Sequence, residues 1–105
     1  MKIQKFVIVA GRFRCGYVYM HEELVKPGEI VLGGGMFCID ERNKMILLYG
    51  KSIDFGPPQL QGIEKNQVID AIKEYYLNRI QEELEDSEKY KVVYENEEGG
   101  DRVEL

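Results

Sequence analysis

Only one stretch of the chain carries helical periodicity, and its position limits the folds open to the sequence. Apolar residues recur there at spacings of three and four, which places them on one helix face: Ile69, Ile72, Tyr76, Ile80 and Leu84. Asn66 is the predicted N-cap, and acidic residues over 82–86 oppose the helix dipole, so the last turn is expected to fray. A strand-like run, Tyr90 to Tyr94, follows the helix. We therefore expect this last strand to pair in parallel with an earlier one through a right-handed crossover.

The part of the chain before this helix is predicted to be mostly β-structure. Apolar runs rich in β-branched and aromatic residues are bounded there by glycine or polar turns; they cover residues 2–10, 14–21, 29–40 and 45–49. Three glycines interrupt the third run, and Glu22 to Lys26 is expected to form a short helical turn. The runs 36–40 and 45–49 are joined by four polar residues, which is typical of a β-hairpin.

The predicted fold class is therefore α/β, of an α+β-like kind. It is a small mixed β-sheet of five to six strands, flanked by one long helix and one short one. A length of 105 residues fits a single domain over 1–105. The chain is acidic from Glu95 onwards, so residues 95–105 are expected to form a loose tail.

Charge and composition exclude several classes of function. Acidic residues outnumber basic ones by 19 to 14, and the net charge of −5 argues against a nucleic acid partner, which needs a basic stripe. No apolar run approaches the length of a membrane span and no secretory signal is recognisable, so a cytoplasmic protein with no membrane partner is expected. Cys15 and Cys38 are interpreted as small buried apolar side chains. Neither a metal nor a cofactor is predicted, and a monomer is the default expectation.

Two glycine-rich turns are the places where chemistry is expected. Gly33-Gly34-Gly35 indicates either a bulge or sharp bend, or a backbone that a ligand or another segment approaches closely; the glycines alone favour the bend or bulge. The loop from Gly50 to Pro58 can point several N–H groups at one anion, and Ser52 adds a hydroxyl donor. This loop is not a P-loop, because both the spacing and the Gly-Lys-Ser/Thr order are missing.

Two further side chains are candidates for a site. His21 is the only histidine and is expected at the end of a strand, where it is either a satisfied structural residue or an acid, base or nucleophile. Lys5 on the first strand is either a solvated side chain or a point charge for a phosphate.

The spacing of the glycine-rich turns resembles a known signature. Leu32-Gly33-Gly34-Gly35 is followed by a strand, then by Tyr49-Gly50, Ser52 and Phe55-Gly56-Pro57. This pattern is similar to that of the phosphohistidine phosphatase (Janus/Ocnus) family, which has Leu-Gly-Gly-Gly and then Tyr-Gly-x-Ser-x-x-Tyr-Gly-Pro. Weaker likenesses lie around Lys5, around Tyr19-Met20-His21 and around the last strand.

The resemblance implies a small curved mixed sheet flanked by helices, and metal-independent removal of phosphate from phosphohistidine. His21 would be the general base or the transient phosphoryl acceptor. The residues that would bind the phosphate are Ser52, Ile53 through its N–H, Lys5, Gly33, Gly34 and Gly35. The expected partner is a phosphorylated protein or a small phosphoramidate. The alternative is a non-catalytic module that binds a ligand or a protein on the same fold.

The sequence departs from the family pattern at several positions around the expected phosphate. Met36 stands where the family usually has an arginine directly after the glycines, Asp54 replaces a small residue, and Glu22 replaces an alanine. A lost cation and two added acids weaken an anion site. The segment between His21 and Gly33 is also shorter than in the family, so most of one helix is missing. Arg12 or Arg14 is a candidate for the family's other arginine.

Overall fold

The protein folds around one mixed, six-stranded sheet with one helix packed on it. A computed structural model describes residues 3–75, 89–96 and 100–105. The elements in chain order are β1 (Gln4–Val9), β2 (Arg12–Gly16), a 3-10 turn (His21–Leu24), β3 (Val31–Asp40), β4 (Met45–Tyr49), α1 (Lys65–Tyr75), β5 (Lys91–Glu95) and β6 (Arg102–Glu104). The spatial order of the strands is β2-β1-β3-β4-β5-β6. The predicted α+β class with a small mixed sheet is confirmed.

The predicted parallel pairing of the last strand with an earlier one is also confirmed. β5 pairs in parallel with β4, with Ile46 opposite Val92, whereas the other neighbouring strands pair antiparallel. The hairpin between β3 and β4 forms as expected, with Asp40 opposite Met45. No helix in the described part of the chain is both long and apolar enough to cross a bilayer.

Helix α1 covers one face of the sheet and closes the main core. Val68, Ile69 and Ile72 are buried, and the spacing of these residues gives one apolar helix face. They pack with side chains from every strand of the sheet except the short β6, among them Phe6, Phe13, Phe37, Ile46, Leu48 and Val92. The burial predicted for Ile69 and Ile72 is therefore confirmed. Tyr76, Ile80, Leu84 and the predicted fraying over 82–86 lie outside the described residues.

The predicted start of α1 is wrong by two residues. The carbonyl of Glu64 accepts hydrogen bonds from the N–H groups of Gln67 and Val68, so Glu64 precedes the first helical residue, Lys65. Asn66 thus lies inside the first turn instead of capping it.

The predicted second strand, 14–21, is displaced. Ala10 and Gly11 both have positive φ, at 49° and 80°, which makes a two-residue hairpin turn that starts β2 at Arg12. β2 then ends at Gly16, and His21 begins the 3-10 turn instead of ending a strand. The short helical turn expected over 22–26 is therefore this turn, shifted towards the N-terminus.

The expected loose tail is wrong for the part of it that the structure describes. Glu95 ends β5, and Arg102–Glu104 forms β6 along the β5 edge that β4 leaves open. The N–H of Leu105 donates to the carbonyl of Val92 at 2.8 Å. An unpaired strand edge carries unsatisfied hydrogen-bonding groups, and these backbone bonds satisfy them despite the polar sequence.

Candidate functional site

The glycine triplet lies within β3, where other backbone segments come too close for any side chain. A Cβ atom added at Gly33 would lie 1.9 Å from the carbonyl oxygen of Pro57, and Gly33 has a φ of +87°. A Cβ at Gly34 would lie 2.5 Å from the Phe6 oxygen, and one at Gly35 would lie 2.6 Å from the Tyr49 oxygen. The glycines are therefore required by the close approach of protein backbone, which is one of the predicted alternatives.

The other alternative, a bulge, is present as well. Val7 pairs with Gly34, but Val9 pairs with Val31, so one residue of β1 spans two residues of β3. The extra residue bends β3 next to Gly33. The predicted interruption of the strand is nevertheless wrong, because β3 runs continuously through the glycines.

The loop from Gly50 to Pro58, here called the Ser52 loop, is bound to β3 by backbone hydrogen bonds. The N–H of Ser52 donates to the Gly34 carbonyl at 2.9 Å, and the N–H of Gly34 donates to the Gly56 carbonyl at 3.1 Å. Below the loop, the N–H of Gln59 donates to the Leu32 carbonyl at 2.8 Å. The two glycine-rich turns are therefore one structural unit.

Ser52 and Ile53 have contrasting environments within this loop. The Ser52 side chain is buried, and its hydroxyl oxygen accepts a hydrogen bond from the N–H of Phe55 at 3.1 Å. Ile53 is 98% exposed. Within the described residues, the N–H groups of Ile53 and Asp54 donate to no acceptor. The tip of the loop therefore presents two successive N–H donors, an arrangement that can bind an anion.

His21 lies against the same glycines from the side opposite to the Ser52 loop. Its ring is buried, and Nε2 is 2.8 Å from the Gly35 carbonyl oxygen. A carbonyl oxygen can only accept a hydrogen bond, so Nε2 carries the proton and Nδ1 is the basic nitrogen of the neutral ring. This arrangement fixes the ring orientation and leaves one defined atom for proton transfer or nucleophilic attack.

An ion pair holds the segment that carries His21. Arg14 on β2 makes two bonds to the Glu29 carboxylate, at 2.6 and 2.9 Å, and a third to the Leu24 carbonyl at 2.8 Å. The guanidinium holds the pKa of Glu29 down to about 2, with help from a hydrogen bond to the backbone of Lys26. The segment from the 3-10 turn to Glu29 is thus tied to the sheet at both ends.

This ion pair corrects the expectation that Arg12 or Arg14 supplies a cation to the site. Arg14 is occupied by Glu29. Arg12 is exposed and pairs with Val9, at the opposite end of β1 from Lys5. No sequence pattern indicated the role of Glu29, because it lies fifteen positions after Arg14 and the pairing depends on the tertiary fold.

Lys5 lies on the face of the sheet that His21 covers. A Cβ on Gly34 would be 3.2 Å from both His21 Cδ2 and Val7 Cγ1, so Val7 and His21 share this face. Side chains alternate along a strand, which places Lys5 on the same face as Val7. Lys5 is half-buried, and its cross-strand partner on β3 is Met36. The candidate residues His21, Ser52 and Lys5 therefore all lie around the segment Gly34 to Met36.

The cysteines and the acidic residues form no competing centre in the described part of the chain. No group of three or more His, Cys, Asp or Glu side chains there could hold a metal ion. Cys15 and Cys38 are buried free thiols, and burial, followed by the nearby Glu74, raises the pKa of Cys15 to about 12. A thiol with so high a pKa is a poor nucleophile.

Comparison with known proteins adds no assignment. No protein-family model matches the chain, and no curated protein shows significant similarity to it. The residues and the geometry of the site are therefore the basis for assigning a function.

Proposed function

We propose that this chain is a phosphohistidine phosphatase-like hydrolase, which removes phosphate from phosphohistidine or a related phosphoramidate without a metal. The observation that carries the proposal is the contact of His21 Nε2 with the Gly35 carbonyl, because it leaves Nδ1 as the reactive nitrogen. The N–H groups at the tip of the Ser52 loop, which have no acceptor among the described residues, and the positive charge of Lys5 support it, since they would bind the phosphoryl oxygens.

Two routes use the same atoms. In the first, the Nδ1 lone pair attacks phosphorus, the P–N bond to the substrate breaks, and its electron pair leaves on the substrate nitrogen, which takes a proton from water. Water then attacks the phosphoryl group on His21 and releases phosphate. In the second, Nδ1 takes a proton from a water molecule as that water attacks phosphorus. The P–N bond breaks, its electron pair leaves on the substrate nitrogen, and Nδ1 gives its proton to that nitrogen. Either route consumes one water molecule, and the Gly35 carbonyl stabilises the positive charge that His21 acquires.

The direct test is phosphate release from a phosphohistidine peptide. Wild type should release phosphate, and His21→Ala should lower kcat by about a hundredfold or more, as expected for a lost general base or nucleophile. Tyr19→Ala is the matched control, because Tyr19 lies two residues before His21 in the chain but is 91% exposed and has no assigned role. An acid-labile phosphoryl adduct on His21 would distinguish the first route from the second. Equal activity of His21→Ala and wild type would refute the proposal.

A non-catalytic binding module on the same fold is the second candidate. The observation that favours it is the occupation of Arg14 by Glu29, which together with Met36 leaves the site with fewer cations than the family pattern implies. An NMR titration with inorganic phosphate separates the two functions. Shifts at Ser52 and Gly33 to Gly35 without turnover of the peptide would support binding alone, and no response would exclude phosphate as the ligand.

A further inference from the structure

A row of side chains, half-buried from Lys5 to Glu95 and exposed at Arg102, crosses the sheet beside the candidate site. Lys5 pairs with Met36, Met36 with Tyr49, Tyr49 with Glu95, and Glu95 with Arg102. Directly paired positions on neighbouring strands share one face of the sheet. The row therefore begins at the lysine of the candidate site and continues into an apolar pair, Met36 and Tyr49.

From this row we infer that Met36 and Tyr49 form the subsite for the leaving group, and that they select an uncharged, planar nitrogen leaving group such as the imidazole of phosphohistidine. The inference rests on the proposed function and names its substrate class. It also gives a role to Met36, which stands in the place of a cation in the related pattern.

Distance along β3 places the leaving group over Met36. His21 Cδ2 lies beside the Cβ position of Gly34, and Met36 is the next residue of β3 on that face. Same-face neighbours on a strand are about 6.8 Å apart, and reacting atoms meet at about 3–3.5 Å. In a phosphoryl group held between His21 and Lys5, the P–N bond to the leaving group therefore points towards Met36.

Met36 and Lys5 disfavour a cationic leaving group. The Met36 thioether and the Tyr49 ring pack well against a flat, neutral ring, but the thioether offers an ammonium or guanidinium group no strong acceptor in place of water. The face of a tyrosine ring attracts cations, so the discrimination comes from Met36 and Lys5. Lys5, the next member of the row, repels such a cation. Glu95 could attract it, but its carboxylate is 3.4 Å from the Arg102 guanidinium, which weakens that attraction. Burial also raises the pKa of the Tyr49 hydroxyl, so the ring stays uncharged at neutral pH.

The test compares kcat/KM for two peptides that differ only in the phosphorylated residue, phosphohistidine or phospholysine. Met36→Ala should lower the ratio of kcat/KM for the phosphohistidine peptide to kcat/KM for the phospholysine peptide about tenfold, because an apolar contact of this size discriminates by about 10- to 200-fold. Met36→Leu should restore the ratio. The control is Met45→Ala: Met45 is a half-buried methionine on the same face of β4, at the end far from Lys5, and it should leave the ratio unchanged. An unchanged ratio in Met36→Ala would overturn the inference.

A binding experiment keeps the inference testable if no substrate is hydrolysed. The probes are a non-hydrolysable phosphonate that carries an azole ring and methylphosphonate, which lacks the ring, and the signal is the ¹³C-methyl resonance of Met36. A shift with the azole phosphonate alone would support the subsite even if the proposed hydrolysis fails. Equal shifts with both probes, or none with the azole probe, would refute the subsite.

Discussion

Replacing Gly33 with alanine should destabilise the fold and separate the Ser52 loop from β3. The new Cβ would lie 1.9 Å from the Pro57 oxygen, which is backbone and cannot rotate away. Moving Pro57 pulls on two hydrogen bonds that flank it, Gly34 N–H to the Gly56 carbonyl and Gln59 N–H to the Leu32 carbonyl. At about 1 kcal/mol for each bond and about 1–2 kcal/mol for alanine at positive φ, the free energy of unfolding should fall by about 3–4 kcal/mol.

Gly28→Ala is a matched control for the backbone term. Gly28 has a φ of +84°, close to the +87° of Gly33, but no atom lies within 4 Å of its Cβ position. Both variants carry the cost of the positive φ and the lower entropy of an unfolded chain with one glycine fewer. The difference between them therefore measures the contact with the Ser52 loop, and it should be about 2 kcal/mol, the value of the two hydrogen bonds.

Urea unfolding followed by circular dichroism measures the unfolding free energies of the two variants, and thermal unfolding measures their melting temperatures. The melting temperature of Gly33→Ala should lie about 10 °C below that of Gly28→Ala, since 1 kcal/mol shifts it by about 4–8 °C in domains near this size. The amide resonance of Ser52 should also move, because its N–H donates to the Gly34 carbonyl. Equal stabilities of the two variants would show that the close contact between Gly33 and Pro57 of the Ser52 loop does not contribute to the loss of stability.

Three other outcomes follow from the described contacts. Glu29→Gln should speed amide exchange in the 3-10 turn and lower the rate of hydrolysis. Because Arg14 depresses the pKa of Glu29 to about 2, the ion pair stabilises the fold fully above the ordinary glutamate pKa, and this stabilisation is lost as the pH falls. The stabilities of wild type and variant should therefore converge near pH 2 but differ at neutral pH. Ser52→Ala should cost about 1 kcal/mol in urea unfolding through the lost bond to Phe55, and a larger loss would mean a further partner. Cys15, with its pKa raised to about 12, should resist iodoacetamide at pH 8 until the protein is unfolded, and rapid modification of the folded protein would contradict the burial.

The parts of the fold that sequence predicted well are those that depend on local apolar patterns. The strands rich in β-branched residues, the buried face of α1 and the parallel pairing of β5 all follow from such patterns. β6 could not be predicted, because all its residues are exposed and only the open edge of β5 makes it a strand. The start of β2 was missed because Ala10, with a φ of 49°, is not a usual residue for a hairpin turn.

The candidate site was only partly visible in the sequence. Glycines mark places of close approach, so the triplet and the Ser52 loop stood out, and the structure brings them together. The partner of His21 could not be foreseen, since the Gly35 carbonyl is a backbone group with no sequence signature. Glu29 was missed for a similar reason, because a single surface acid gives no sign of the arginine that binds it.

The parallel pairing of β4 with β5 has a consequence for the order in which the protein folds. The pairs formed among β1 to β4 are all antiparallel. The residues of the candidate site all lie between Lys5 and Pro58. The hairpins β1–β2 and β3–β4 are joined by short turns and close small loops, the β1–β3 pair closes over residues 10–30, and β5 has to wait for the chain between residues 50 and 90 to return. Contacts that are distant in sequence form slowly. We therefore expect β5 to dock last, after β1 to β4 have brought the residues of the candidate site together.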